Sequence, residues 1–159
     1  MDVYLLRHGE AGSPRQQHDE QRPLTADGVK QLERQAAALR GWGVRIDLLL
    51  SSPYVRARQT ADIIARAYQM PVSEDPRLAA GCTASAALAV LHDHAALKHI
   101  WLTGHEPDLS EICAALTGGG RVRMVKGGLA RIQLDSLQPA HGELIWYLTP
   151  ALMGATLSD

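Results

Sequence analysis

Three short stretches of this chain bring together side chains that can hold and transfer an anion: Arg7-His8-Gly9-Glu10, the Ser51-Ser52-Pro53 turn followed by Arg56, and Gly104-His105-Glu106. Guanidinium groups such as those of Arg7 and Arg56 suit bidentate contacts to phosphate or carboxylate oxygens better than they suit a core. Imidazole has an ordinary pKa near ~6.5, so His8 and His105 can be neutral and nucleophilic at neutral pH while the arginines stay charged. Two guanidinium groups, two imidazoles and a helix N-terminus amount to a phosphoryl-binding site that needs no metal ligand set. Ser51 and Ser52 have no base assigned to them and read as helix-capping residues.

Each stretch must be positioned by an element that ends there. Val3-Tyr4-Leu5-Leu6 is a short apolar run of the kind buried on both faces of a sheet, and Arg7 and His8 stand where it leaves the sheet. Ile46 to Leu50 reads as a second strand, with a helix from Pro53 to about Tyr68 carrying Arg56 in its first turn. His99 to Thr103 reads as another strand, leading into a helix that ends near Gly118-Gly119-Gly120. Between them, Thr25 caps a helix carrying Val29, Leu32, Ala36 and Leu39 up to Gly41 and Gly43. Pro71 to Glu74 is a short strand candidate, and Thr83 a cap for a helix through Leu91. Gly128 to Leu134 and Glu143 to Leu148 read as an antiparallel hairpin with a turn at Gln138 to Gly142. Strands alternating with helices predict an α/β fold: a three-layer α/β/α sandwich on a mostly parallel sheet with an antiparallel edge strand, in one domain over 1–159. Ligands in such sheets bind beyond the carboxyl ends of the strands, where all three stretches fall.

Composition removes several function classes. A net charge of −1, from 16 basic and 17 acidic residues, gives no electrostatic case for nucleic acid or an anionic membrane. Cys82 and Cys113 form no CxxC or metal spacing and read as small core residues. The chain begins directly on its first strand with no signal-peptide pattern, and no apolar run is long enough to span a bilayer, so a cytoplasmic location and a monomer are expected. His92-Asp93-His94 invites a metal reading, but residues two apart on a helix do not share a face. Gly118 to Gly120 and Gly127-Gly128 match no nucleotide-binding loop and read as turns.

Taken together, RHGE at 7–10, RPLT at 22–25, SSPYVRARQTA at 51–61 and LTGHEPDLS at 102–110 resemble the histidine phosphatase superfamily, in its order and spacing. Chain length and the stretch KGGLARIQLD at 126–135 look most like its small SixA-type phosphohistidine phosphatase branch. The resemblance implies a phosphoglycerate mutase-like fold, His8 as a transiently phosphorylated nucleophile, Arg7 and Arg56 gripping the phosphoryl oxygens, and His105 as the second histidine of the phosphate pocket. No cofactor is implied. Gly9, with no side chain, would let the backbone pass close to the phosphate. In the mutases and many phosphomonoesterases of the superfamily a Glu after the third strand protonates the leaving group, but here that segment is Asp75-Pro76-Arg77-Leu78-Ala79-Ala80-Gly81. An imidazole leaves more readily than an alkoxide, so the missing carboxylate favours a phosphohistidine substrate on another protein, as does the lack of any insertion long enough to form a lid. Glu106, following His105 as an acid does in the acid-phosphatase branch, is the alternative donor and would make the protein a broader phosphomonoesterase. Glu10, His18 and Asp19 are weaker candidates, and a non-catalytic module that binds phosphorylated proteins is a third reading.

Overall fold

Strand β1, Asp2–Arg7, alternates its side chains between two cores, which is why its sequence is continuously apolar. Val3 and Leu5 join Leu102, Leu109 and Ile112 on one face, while Tyr4 and Leu6 join Leu32, Ile64 and Trp101 on the other. In the computed structural model, which describes residues 1–13, 18–120 and 122–154, the elements that follow are α1 (Ala26–Gly41), β2 (Leu48–Ser51), α2 (Val55–Tyr68), β3 (Ser73–Glu74), α3 (Ala84–Asp93), β4 (His99–Gly104), α4 (Asp108–Leu116), β5 (Leu129–Leu137), β6 (Ala140–Leu148) and α5 (Pro150–Gly154). Asp19–Gln21 and Pro76–Leu78 form 3-10 turns.

The sheet runs β3-β2-β4-β1-β5-β6. The first four of these strands are parallel, β5 is antiparallel to β1, and β6 turns back antiparallel to β5. The expected antiparallel edge is therefore a hairpin in which the reversed strand lies second from the edge. Helices α1, α2 and α5 contribute to the core on the Tyr4 face, and α3 and α4 to the core on the Val3 face. This is the α/β sandwich expected from the alternation of strands and helices.

Local chemistry sets the element ends. The Thr25 hydroxyl accepts the Gly28 N–H at 3.0 Å and the Thr83 hydroxyl accepts that of Ala86 at 3.2 Å, as expected of both caps. Strand β2 starts at Leu48, two residues later than its apolar run, and the Asp47 carboxylate just before it accepts the N–H groups of Lys98 and His99. Helix α2 starts at Val55 with Tyr54 as its N-cap; Ser52 accepts the Tyr54 N–H through its hydroxyl at 3.2 Å, one residue ahead of the helix, while the Ser51 hydroxyl donates to the Ser52 carbonyl and caps nothing. The hairpin strands are longer than expected and narrow the turn to Gln138-Pro139. Helix α5 has no periodic signal in its five residues; it places Met153 in the core beside Gln35 of α1. Cys82 and Cys113 are free and buried in the same core.

Helix α1 also holds the loop that leaves β1. Glu10 accepts the Thr25 N–H at 2.9 Å through its carbonyl, and a Cβ on Gly28 would stand 2.5 Å from that same oxygen. Alanine ordinarily favours a helix interior by about 1 kcal/mol over glycine. Here the clash is with backbone, so Gly28→Ala is expected to destabilise the protein by about 1–3 kcal/mol in urea unfolding. An unchanged or raised midpoint would contradict that packing.

Candidate active site

Strand register brings the two histidines together. Arg7 pairs with Gly104 across β1 and β4, so the next residue on each strand, His8 and His105, emerge side by side at the carboxyl edge of the sheet. The His8 N–H donates to the Gly104 carbonyl at 3.1 Å, and the imidazole centroids are 5.4 Å apart. On the other side of β4, Ser51 pairs with Thr103 and the Ser52 N–H donates to the Thr103 carbonyl at 2.9 Å. Arg56 follows one turn later from α2. His8, His105 and Arg56 are 6%, 3% and 4% exposed, an unusual burial for three groups that can carry charge.

The hydrogen bonds fix the tautomers. His8 Nδ1 lies 2.7 Å from the Gly9 carbonyl, which can only accept, so Nδ1 carries the proton and Nε2 keeps its lone pair. That lone pair accepts from Arg56 Nε at 3.2 Å. Burial lowers the His8 pKa to about 4, and the charges of Arg56, Arg7 and Arg22 add to the effect against the opposing Gly9 hydrogen bond. His105 Nδ1 faces Arg56 Nη2 at 3.3 Å and accepts from it, so its Nε2 proton goes to the Ser52 hydroxyl at 2.7 Å. Burial, then Arg56 and His8, lower the His105 pKa to about 3. Both rings are neutral at pH 7.

Gly9 is packed against two helices. Its N–H is taken by the Thr60 hydroxyl at 3.0 Å, and a Cβ there would lie 2.6 Å from Leu32 of α1. The absent side chain therefore makes room for α1, and the backbone orients His8. Gly127 and Gly128, read as a turn, support the same segment: Gly127 donates to the carbonyls of Arg7 and His8 at 3.1 and 3.0 Å, and Gly128 accepts the Arg7 N–H at 3.0 Å. The buried Gln35 amide in turn donates to the Gly127 carbonyl at 3.0 Å.

Arg7 is partly buried and donates through Nη1 to the Met124 carbonyl at 2.7 Å, while its Nε is buried without a hydrogen-bond partner. Burial lowers its pKa, and the Glu106 carboxylate is the strongest opposing charge. Glu106 thus lies on the Arg7 side of the site. One of its oxygens accepts from Ser110 at 2.6 Å and the other, Oε1, is buried without a partner. Arg58 points away, paired with Asp62 and Glu74. Glu10 is exposed at the rim, 4.0 Å from Lys126. In the alanine-bearing segment, Asp75 is held by Arg77, and Asp108 accepts the N–H groups of Gly81 and Cys82. Of the loop after His8, residues 14–17 lie outside the described residues. His18 borders its far end without a described role; Asp19 contacts Arg56.

Three contributors escaped the sequence. Ser52 carries the signature of a helix cap but orients His105. Tyr54 lies beneath both groups, 5.1 Å from the Arg56 guanidinium and 4.9 Å from the His105 ring, positions no spacing rule singles out. Asp19, only a weak donor candidate, is ion-paired to Arg56 at 2.9 Å and to Arg22 at 2.6 Å. Its place one residue past a stretch without periodicity left no signal for that contact.

Comparison with known proteins agrees with this geometry. An uncharacterized protein of Picosynechococcus is 36% identical over 123 residues, 75% of this chain and 74% of its own. The phosphohistidine phosphatase SixA of Escherichia coli is 27% identical over 157 residues, 94% of each chain. The structure of the protein histidine phosphatase SixA complexed with tungstate superposes with a TM-score of 0.86 at 26% identity, covering 95% of this chain and 98% of that one. The profile of the histidine phosphatase superfamily (branch 1) matches residues 3–159. With the RHG strand end, the second histidine and the intervening arginine converging as they do, the chain belongs to the histidine phosphatase superfamily.

Proposed function

We propose that this protein is a metal-independent phosphatase that hydrolyses phosphohistidine on other proteins through a phosphoryl group carried transiently on His8. The observation that carries this reading is the state of His8: buried, neutral, with Nδ1–H committed to the Gly9 carbonyl and the Nε2 lone pair turned toward Arg56. A neutral imidazole held in one tautomer needs no base to activate it. Likeness to the SixA phosphatases over nearly the whole chain supports the choice of substrate.

In the first step the Nε2 lone pair leaves the Arg56 Nε–H and attacks phosphorus in line as the P–N bond to the substrate ring breaks. The substrate reacts as the N-phosphoryl imidazolium, protonated on its far nitrogen; the electron pair of the broken bond stays on the substrate nitrogen and the far proton remains, so the ring departs as neutral imidazole. Water then attacks phospho-His8, the P–Nε2 bond breaks, and dihydrogen phosphate forms and loses a proton to solvent. Phosphoryl transfer asks the protein mainly for positioning and charge, which Arg7, Arg56 and the His105 side supply. The unpartnered Nε of Arg7 is a donor available to a phosphoryl oxygen.

A second reading, a broader phosphomonoesterase with Glu106 as proton donor, has one observation in its favour: Glu106 Oε1 is buried beside Arg7 with no partner. On the leading reading, Glu106→Gln lowers phosphohistidine and aryl phosphate turnover alike by less than about tenfold; a selective loss on esters of about 10²-fold or more would establish Glu106 as the acid.

Radiolabelled phosphohistidine protein, mixed rapidly with the enzyme in the presence of a chelator, is expected to label the wild-type protein and not His8→Ala, which also loses turnover. Label that never appears on His8, or turnover by the variant, would overturn the mechanism, and the first with no turnover would leave a binding module. The depressed pKa also has a direct readout. The His8 ring resonances are expected to titrate near pH 4, so its neutral form persists through the mildly acidic range; a midpoint near ~6.5 would contradict the burial argument.

A further inference from the structure

Four of the five N–H donors with which Arg56 could grip a phosphoryl group are already engaged, two of them by His8 and His105 and two by Asp19. Its Nη1 donates to the Asp19 carbonyl and its Nη2 to Asp19 Oδ2 at 2.9 Å. The other carboxylate oxygen, Oδ1, accepts from Arg22 through Nε at 2.9 Å and Nη2 at 2.6 Å, while Arg22 Nη1 donates to the Gly12 carbonyl at 2.9 Å. The Asp19 carboxylate thus spans two guanidinium groups, one oxygen on each, as two oxygens of a phosphoryl group would. Burial raises its pKa, but the hydrogen bonds and charges of Arg22 and Arg56 prevail and hold it below the ordinary range, so it is ionised at neutral pH.

A phosphoryl oxygen that takes the outer N–H of Arg56 Nη2 must take it from the Asp19 carboxylate, while Nη1, with one N–H on the Asp19 backbone carbonyl, keeps a second for the same group. The exchange is physically cheap on one side only. The Arg56 side chain is 5% exposed and fixed by His8 and His105, whereas that of Asp19 is 52% exposed and can rotate into water without losing Arg22. Once displaced, the carboxylate remains at the mouth of the site on its Arg22 tether.

We propose that Asp19 is a specificity-determining residue of this site: it competes with the phosphoryl group for Arg56 and, once displaced, favours a leaving group that brings an N–H over one that brings a second negative charge. The proposal rests on the phosphatase reading above. The substrate imidazole keeps a proton on its far nitrogen as the P–N bond breaks, and a carboxylate at the mouth is an acceptor for that N–H. A phosphoglycerate would instead place its own carboxylate near that of Asp19, where like charges repel.

Asp19→Asn and Asp19→Ala in the full chain separate these effects, with thermal unfolding to check that each variant folds. Calorimetric titration with tungstate, which needs no turnover, is expected to give binding about fivefold tighter or more in both variants, since neither keeps the charged carboxylate that competes for Nη2. The ratio of kcat/KM for phosphohistidine protein to that for 3-phosphoglycerate is expected to fall by roughly tenfold in Asp19→Asn, with aryl phosphate as the neutral reference. Unchanged or weaker tungstate binding would overturn the competition, and an unchanged ratio would overturn the role in specificity. If the wild-type protein hydrolyses aryl phosphate but not phosphohistidine, the substrate assignment above fails, while the tungstate titration and the aryl-to-glycerate ratio still decide what Asp19 does.

Discussion

The parallel pairing of β1 with β4 is the constraint on which the site depends. A register of Arg7 with Gly104 delivers both histidines to one edge of the sheet at the same height. Because side chains alternate along a strand, a slip of one residue would exchange the two cores and send the histidines to different levels. The burial of both faces of β1 enforces the register: Val3, Leu5, Tyr4 and Leu6 are all nearly inaccessible, and none can be moved to the other face without repacking a core. The geometry of the chemistry is thus inherited from hydrophobic packing beneath it.

Electrostatics then divides labour among groups that would otherwise resemble one another. Arginine cannot give up its proton in a protein, whereas imidazole can, so burial in a cluster of guanidinium groups leaves the arginines charged and the two rings neutral. The same burial that costs solvation sharpens the contrast between nucleophile and clamp. Two buried polar atoms without partners, Arg7 Nε and Glu106 Oε1, lie here too, where an incoming anion and its water can satisfy them.

Much of this was legible in the chain because each key residue follows a recognisable run. Arg7, His8 and His105 stand directly after short apolar strands, and Arg56 lies one turn beyond a strand end, so position alone assigns them to one crevice. What the chain concealed has specific causes. Ser-Ser-Pro is the pattern of a helix cap, and only the proximity of His105 Nε2 turns Ser52 into an orienting group. Gly9 lacks a side chain for the sake of Leu32, a residue on an element with no sequence relation to the motif. Asp19 lies in a polar stretch where no periodicity points it anywhere, and its contact with Arg56 exists only because α2 and the loop meet in space. Helix α5 is too short to show a repeat at all.

The sheet order also bears on how the molecule is made. Strand β1 leaves the ribosome before both of its neighbours, β4 and β5, which come from His99–Gly104 and Leu129–Leu137. Met1 is itself fastened to β5, its ammonium donating to the Leu134 carbonyl at 2.8 Å. The nucleophile is therefore translated before the strands that hold it: β1 waits unpaired until β4 and β5 emerge, and the backbone around His8 closes only when Gly127 arrives to bind it. A nascent chain carries the signature motif long before it carries the chemistry.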